Sequence, residues 1–433
     1  MHRVWNVKWM ATGVSLVGRW VPNRELEQRF ELPSGSLFKH TGILGRYHTP
    51  QYSSSDLGKL AAQPFQNQLQ CDGRFLNTLV GCSTSADAVT PAFAHFVHQH
   101  LLSLQTHIQC FDVFSSCTSF LNAVTVAASQ CQQNLALSNQ AWVVAGESKS
   151  KTLNPNHPKT FGLFGDGGSA AWMAPSQGEE QIWLIHQHTD SEMVKNIWNP
   201  IGGSQQPLNS ENWQQFGLVL HEPKKLYKRT ILRMVEAVEK GVQEVELWAK
   251  KQGKEKSTGI GWIFLHQANA NILKEVRSKL GPDLQKKLVI LMSDTGNLVS
   301  TSVPILRVRV LFLQHLFQLY QNRKFKNHSQ EFLEFAKEHL RNTAMRLDSE
   351  SMYLNQLNLP QGETLFLTTS YDSQSHWLER LHPEEWEQFY QQLQWDMSSS
   401  RPENTCDIWV SAGGGFQTIG LVHFRGVSPQ NSP

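Results

Sequence analysis

The chain has almost no net charge: 39 lysines and arginines stand against 37 aspartates and glutamates over 433 residues, a formal charge of +2. Without an overall field there is no electrostatic case for nucleic acid or an anionic membrane as partner, and any basic docking surface must be local. Long apolar runs are missing as well. The best candidate, Val303 to Phe317, is broken by Arg307, Arg309 and His315 and falls short of the roughly 18 residues a spanning helix needs. Met1 to Trp20 mixes charge with aromatics and lacks the basic, apolar and small-residue order of a signal peptide, so no membrane association and a cytoplasmic address are expected. Cysteine pairs are absent too. Cys71, Cys82, Cys110, Cys117, Cys131 and Cys406 are scattered with no CxxC, which signals neither a zinc knuckle nor a disulfide framework and leaves at least one thiol free for chemistry. No GxGxxG or Walker loop stands between a strand and a helix, so no resident nucleotide is expected. His95, His98 and His100 have metal-like spacing, but on what reads as a helix near an interface; a surface role and no metal are expected.

What is present is alternation. Short β-branched and apolar runs alternate with longer helical stretches: Phe75 to Val80, Thr90 to Leu104, Gln109 to Phe114, Cys117 to Cys131 and Ala141 to Ala145. That rhythm is the signature of βαβ units around a largely parallel, buried sheet, so the class is α/β. It repeats later, with a helix at Lys225 to Trp248, a strand at Gly261 to Leu265, a helix at Ala268 to Leu280 and a strand at Leu288 to Met292. From Gln321 to Asn404 the texture shifts to Gln, Glu, His and aromatics. Phe332, Phe335, Ala336 and Leu340 fit helical spacing, as do Trp386, Phe389, Tyr390 and Leu393 after Pro383, with a strand at Thr364 to Thr369 between them. This reads as a folded, mainly helical insertion ahead of a last strand at Asp407 to Val410.

Four segments carry candidate chemistry. In Phe111-Asp112-Val113-Phe114-Ser115-Ser116-Cys117-Thr118-Ser119-Phe120-Leu121 a strand runs into a cysteine that opens an apolar helix; a thiol there feels the positive end of the helix dipole, which favours the thiolate. Phe264-Leu265-His266-Gln267-Ala268-Asn269 is again a strand end meeting a helix. Thr295-Gly296-Asn297-Leu298-Val299-Ser300-Thr301-Ser302-Val303-Pro304 and Ala412-Gly413-Gly414-Gly415-Phe416 complete the set. Each alone also reads as a core cysteine, a capping histidine, a turn asparagine or a glycine-rich turn. Their order together is informative.

In that order, and with Gly13 to Asn23, the Thr41-Gly42-Ile43 turn followed by Arg46, Gly146-Glu147 and Leu163-Phe164-Gly165-Asp166-Gly167-Gly168-Ser169-Ala170-Ala171, the chain resembles β-ketoacyl synthase III and its relatives in the thiolase superfamily. The resemblance implies a thiolase fold of two similar halves, residues 1–175 and 176–433, forming a layered α/β/α/β/α core with the insertion 321–404 in the second half. It implies Cys117 as acyl-accepting nucleophile, His266 and Asn297 as the pair that holds the second thioester carbonyl, and the N–H groups of Cys117 and Gly414 as oxyanion hole. Thr90, before Pro91, would line a partner's acyl pocket in a homodimer or a heterodimer with a paralogue, and its small size suggests a medium or long acyl chain. Substrates would be acyl-CoA or acyl carrier protein thioesters, the carrier protein then being a partner, with no permanently bound cofactor.

The chain also departs from that pattern. His40 stands where an arginine contacting coenzyme A is usual, Ser36 where an aromatic stacks on adenine, Asn271 where an arginine meets the carrier protein, and Ala412 where Phe approaches the catalytic His. Lys274, Arg277, Lys279, Lys286 and Lys287 could form a replacement docking face or be a solvated helix surface. Three readings follow: a condensing enzyme, a catalytically quiet subunit of a paired ketosynthase, or an acyltransferase making an ester or amide. The intact Cys, His and Asn set favours the first. The insertion is expected either as a peripheral cap or as a cover or docking face at the tunnel mouth.

Overall fold

The computed structural model describes residues 3–71, 76–102, 107–133, 139–178, 180–321, 328–347, 352–360, 362–370, 376–398, 404–413 and 417–425. Its strands form two main sheets built on one plan. In the first half, Val7–Leu16, Thr78–Cys82, Gln109–Asp112, Ala141–Glu147 and Gly167–Pro175 lie in the spatial order first, fifth, fourth, second, third. In the second half, Glu180–Thr189, Thr258–Leu265, Leu288–Val289, Asn404–Gly413 and Gln417–Arg425 lie in the same order with the same parallel and antiparallel pairings. The halves are therefore topological copies, as the repeated strand-helix rhythm suggested.

Burial explains the strand sequences. Every residue of Ala141–Glu147 is buried, as a sheet covered on both faces requires. Helices Ser119–Gln133 and Ser302–Gln321 fill the layer between the sheets, packing Phe120, Val124, Leu306 and Val310 against Val14, Val143, Phe264 and Trp409. Ser54–Cys71 and Phe93–Leu101 cover the outer face of the first sheet; Pro223–Lys251 and Ala270–Lys279 cover that of the second. The result is the five-layered thiolase arrangement. Glycine lets the outer layer approach: a Cβ on Gly13 would lie 1.9 Å from the Ala61 carbonyl oxygen, and one on Gly146 1.9 Å from that of Ser54. The apolar run Val303 to Phe317 belongs to the central helix, buried along its length, which is why it reads as almost apolar all round. No helix among the described residues is long and apolar enough to cross a membrane.

Several boundaries move. The helix expected from Thr90 runs over Phe93–Leu101, its first N–H groups taken by the Asp112 carboxylate. Residue 75, assigned to a strand start, lies outside the described residues. The strand expected over Leu288 to Met292 stops at Val289, because the chain then turns toward the segment of Asn297.

The insertion needs the larger correction. Beside helices Ser329–Thr343 and Pro383–Ser398 it contains an antiparallel run of strands, Met345–Leu347, Met352–Asn358 and Thr364–Ser370. The last, expected as a strand, pairs in parallel with Val7–Leu16 and so extends the sheet of the first half to eight strands. Nor is the insertion peripheral. Arg307 of the central helix donates both terminal nitrogens to Glu363, each at 2.6 Å, while the Thr12 hydroxyl donates to the same carboxylate at 2.7 Å. Neither charged side chain is more than 3% exposed, and the guanidinium lies over Trp9 and Trp409.

Removing one partner of such a buried pair strands the other charge, a loss of about 3–5 kcal/mol, whereas replacing both by apolar groups is far milder. Glu363→Ala is therefore expected to lower unfolding free energy by about that amount in denaturant titration, and Arg307→Met combined with Glu363→Leu to recover most of it. A Glu363→Ala protein within about 1 kcal/mol of the parent would show that the pair is not buried as described.

Candidate active site

Cys117 sits in a single 3₁₀ turn, Ser116–Thr118, that leads into helix Ser119–Gln133. Local hydrogen bonds build the turn: Ser115 N–H donates to the Ser119 hydroxyl at 2.8 Å, the Thr118 hydroxyl to the Ser115 carbonyl at 2.6 Å, and the Asn122 amide to the Ser115 hydroxyl at 2.9 Å. Ser116 is held at φ +56°, a left-handed conformation unusual for a residue with a Cβ and the kind of strain that collects at functional sites. The surroundings of the thiol work against the thiolate that a helix start favours. Burial pushes the Cys117 thiol up to about 12, with the Ser116 hydroxyl and Lys149 pulling it down and the Glu147 carboxylate adding to the rise.

His266 follows strand Thr258–Leu265 and donates its backbone N–H to the Val410 carbonyl at 2.8 Å. It is 1% exposed, and burial lowers its pKa to about 4, so the imidazole is neutral at pH 7. Its Nδ1 is buried with no hydrogen-bond partner among the described residues. Asn297 is pinned at both backbone ends, its N–H donating to the Leu163 carbonyl at 3.0 Å and its carbonyl accepting from Gly165 N–H at 3.1 Å. Its side-chain Oδ1 accepts from Val299 N–H at 2.9 Å, which leaves Nδ2 as the end free to donate. Val299, β-branched, holds φ +51° to make that bond, a second strained residue beside the candidate set.

One strand brings these pieces together. Along Asn404–Gly413, the Val410 carbonyl receives His266 and the next residue, Ser411, donates its hydroxyl to the Cys117 carbonyl at 2.7 Å. A Cβ on Gly413 would stand 3.5 Å from the Cys117 backbone nitrogen, so the chain passes close over the nucleophile turn. Val299 shares an apolar cluster with Cys117, Leu163 and Phe164. Gly414 lies outside the described residues. Thr90 is exposed on the single chain, next to Val89, which is fully exposed.

Two contributors escaped sequence reasoning. Ser411 looks like an ordinary small residue within an apolar strand. Glu147 counted only as a landmark, yet its buried carboxylate accepts from Thr84 N–H and hydroxyl, from the Ser85 hydroxyl at 2.9 Å and from the Ser300 hydroxyl at 2.6 Å, tying the loop before Thr90 to the turn after Asn297. Burial raises its pKa against the pull of Lys149 and those donors. Arg46 is wholly buried and donates to Val21 and Gly162 carbonyls and to Asn23 Oδ1, bracing the opening segment against the segment that holds Asn297.

The altered docking positions meet each other. The Asn271 amide donates to the Lys39 and His40 carbonyls, and the Tyr227 hydroxyl donates to the Asn271 carbonyl. Of the basic residues considered for docking, Arg277 is buried and donates to the Leu288 carbonyl, which removes it from any such surface. Lys279 pairs with Glu275 at 3.3 Å, and Lys286 and Lys287 lie over the ring of Trp395 in the insertion.

Comparison with known proteins agrees with the geometry. The family described as 3-oxoacyl-[acyl-carrier-protein] synthase III matches residues 111–191, and the family of its C-terminal part matches residues 251–311. The chain is 27% identical over 301 residues to a 3-oxopimeloyl-[acyl-carrier-protein] synthase of Rhodothermus marinus, covering 68% of this chain and 83% of that protein. It is 26% identical over 301 residues to a β-ketoacyl-[acyl-carrier-protein] synthase III of Pectobacterium atrosepticum, covering 68% and 89%. Among solved structures, a 3-oxoacyl-(acyl-carrier protein) synthase of Burkholderia xenovorans superposes with a TM-score of 0.64 at 15% identity, over 98% of this chain and 96% of that one. The priming β-ketosynthase of the R1128 polyketide pathway gives 0.61 at 16% identity, over 99% of both. With the duplicated sheet plan and the ordered segments around Cys117, His266 and Asn297, these matches show a thiolase fold and a chain similar to the β-ketoacyl synthase III condensing enzymes.

Proposed function

We propose that the chain is an acyl-thioester condensing enzyme that forms a carbon-carbon bond by decarboxylative Claisen condensation, in fatty acid, polyketide or related biosynthesis. The observation that carries this reading is the convergence at strand Asn404–Gly413: its consecutive residues Val410 and Ser411 anchor His266 and the Cys117 turn, and the Asn297 turn packs beside Cys117 with its amide turned to donate.

The steps balance without a metal or bound cofactor. Cys117 Sγ attacks the carbonyl of an acyl thioester; the carrier's thiol leaves with the proton that the cysteine gives up, and the acyl group stays on sulfur with its activation kept. A malonyl-type thioester then binds with its thioester carbonyl toward His266 and Asn297 Nδ2. Loss of carbon dioxide places negative charge on that oxygen, which a neutral imidazole N–H and an amide N–H stabilise. The carbanion attacks the acyl-Cys117 carbonyl, whose oxyanion finds the Cys117 N–H; the thiolate leaves and takes a proton from solvent to restore the thiol. Asn297 can donate throughout because an amide does not take up the proton.

We take the working unit to be a dimer, of two copies or with a paralogue. Strand Gln109–Asp112 is an edge strand, and Val89, Thr90 and Phe114 are exposed on the single chain, as residues awaiting a partner would be. Thr90 would then face a neighbouring acyl pocket and, being small, admit a medium or long chain. Acyl-CoA and acyl carrier protein thioesters both remain candidate donors.

Cys117→Ala is expected to abolish acyl loading, read as a mass increment on the intact protein, while His266→Ala and Asn297→Ala load normally and lose condensation by on the order of 100-fold or more. An acylated Cys117→Ala protein would refute the assignment. Because burial holds the thiol high, alkylation of Cys117 by iodoacetamide should climb about tenfold per pH unit from 7 to 9 without levelling. A plateau below pH 8 would show that the resting enzyme keeps a thiolate.

A further inference from the structure

Ser293, four residues before Asn297, is the point where the insertion grips the catalytic loop. Helix Pro383–Ser398 sends Glu385 to it: Met292 N–H donates to one carboxylate oxygen at 3.0 Å, Ser293 N–H to the other at 3.2 Å, and the Ser293 hydroxyl bonds to that second oxygen. His382 N–H donates in turn to the Ser293 hydroxyl at 2.8 Å. The consequences run in two directions. The Met292 carbonyl accepts from Thr295 and Gly296 N–H, closing the turn that delivers Asn297, and the Ser293 carbonyl accepts from Leu44 and Gly45 N–H of the turn after Thr41. The same stretch of insertion stacks the His382 ring on Phe38, at 4.7 Å between centroids, and lays Arg380 over Trp20, whose Nε1 donates to the Asp294 carbonyl.

We propose that Glu385 is a positioning residue for condensation: it holds the loop 292–297 so that Asn297 meets the thioester carbonyl, and through it the insertion governs the second half-reaction and not acyl loading. This rests on the condensing-enzyme reading given above. A carboxylate suits the task because only its ionised form offers acceptors to all three donors; a protonated one loses part of that capacity. Burial raises the carboxyl to about 7, with Asp294 adding to the rise and the loop donors opposing it. The charged groups around it are Asp294, paired with Arg309 of the central helix and also under the field of Arg380, and Arg277 from helix Ala270–Lys279. His266 and Cys117, at about 4 and about 12, do not titrate between pH 6 and 8.5. Condensation therefore bends downward as pH drops through about 7, whereas loading of Cys117 follows the thiolate fraction with no break near 7.

The test compares the full-length parent with Glu385→Gln, Glu385→Ala, Glu385→Asp and, as control, Glu387→Gln on the exposed side of the same helix. Acyl loading is read by mass and condensation by product from a malonyl thioester, across pH 6 to 8.5. Hydrogen exchange is followed at the amides of Met292 and Ser293. Expected for Glu385→Gln are loading within about twofold of the parent, condensation reduced on the order of 10- to 100-fold at pH 8 with the limb near 7 gone, and faster exchange at both amides. Glu385→Asp should restore part of the rate with the limb. Equal losses of loading and condensation, or a pH limb retained in Glu385→Gln, would overturn the proposal. The exchange result stands apart from the chemistry: unchanged protection in both Gln and Ala variants overturns the clamp whatever the rates, whereas a parent that loads but never condenses overturns the functional reading and leaves that measurement to decide the clamp.

Discussion

Two arginines on the central helix organise this molecule. Arg307 and Arg309 stand two residues apart, so their side chains leave the helix on nearly opposite sides. Arg307 reaches Glu363 and Thr12, and Arg309 reaches Asp294, with Trp377 stacked 4.3 Å from its guanidinium. All four charged groups are at most 3% exposed. A buried cation without its counter-ion is so unfavourable that both connections must form if the helix is to occupy the layer between the sheets. One connection binds the insertion to the first sheet, and the other binds the helix to the loop that ends in Asn297.

The site itself lies where the two copies of the sheet plan come together. Cys117 follows the third strand of the first half and His266 the second strand of the second half, and the fourth strand of the second half bonds to both. Rigid strands and the central helices thus position the reacting groups, and the strained residues Ser116 and Val299 are tolerated because their surroundings leave them no alternative.

Local signals were the legible ones. The strand into Cys117, the strand into His266 and the glycine before Asn297 each express their conformation within about ten residues, so their order could be read directly. Long-range pairings left no such mark. Arg307 and Arg309 read only as interruptions of an apolar run, since their counter-charges lie elsewhere in the chain. Glu385 follows Pro383 as acidic residues commonly do in a first helical turn, which hid its reach to Met292 and Ser293. The strand Met352–Asn358 carries Asn355 and Gln356 among its apolar residues, a pattern that resembles the polar helices on either side and hid it beside the strand that was expected at Thr364 to Thr369. The thiol of Cys117 illustrates a different limit: a helix start can be seen in residues, but the desolvation that raises the thiol cannot.

The strand Thr364–Ser370 sets an order of events during synthesis. Val7–Leu16 is made before every other strand of its sheet, yet one edge it offers is paired by residues made some 350 positions later, the separation of the Thr12 to Glu363 bond being 351. Until then the nascent first half presents a ten-residue, largely apolar strand with one side open, the kind of edge on which chains associate wrongly. The first sheet is therefore completed only after Thr364–Ser370 has been made, and that edge of Val7–Leu16 stays open until then.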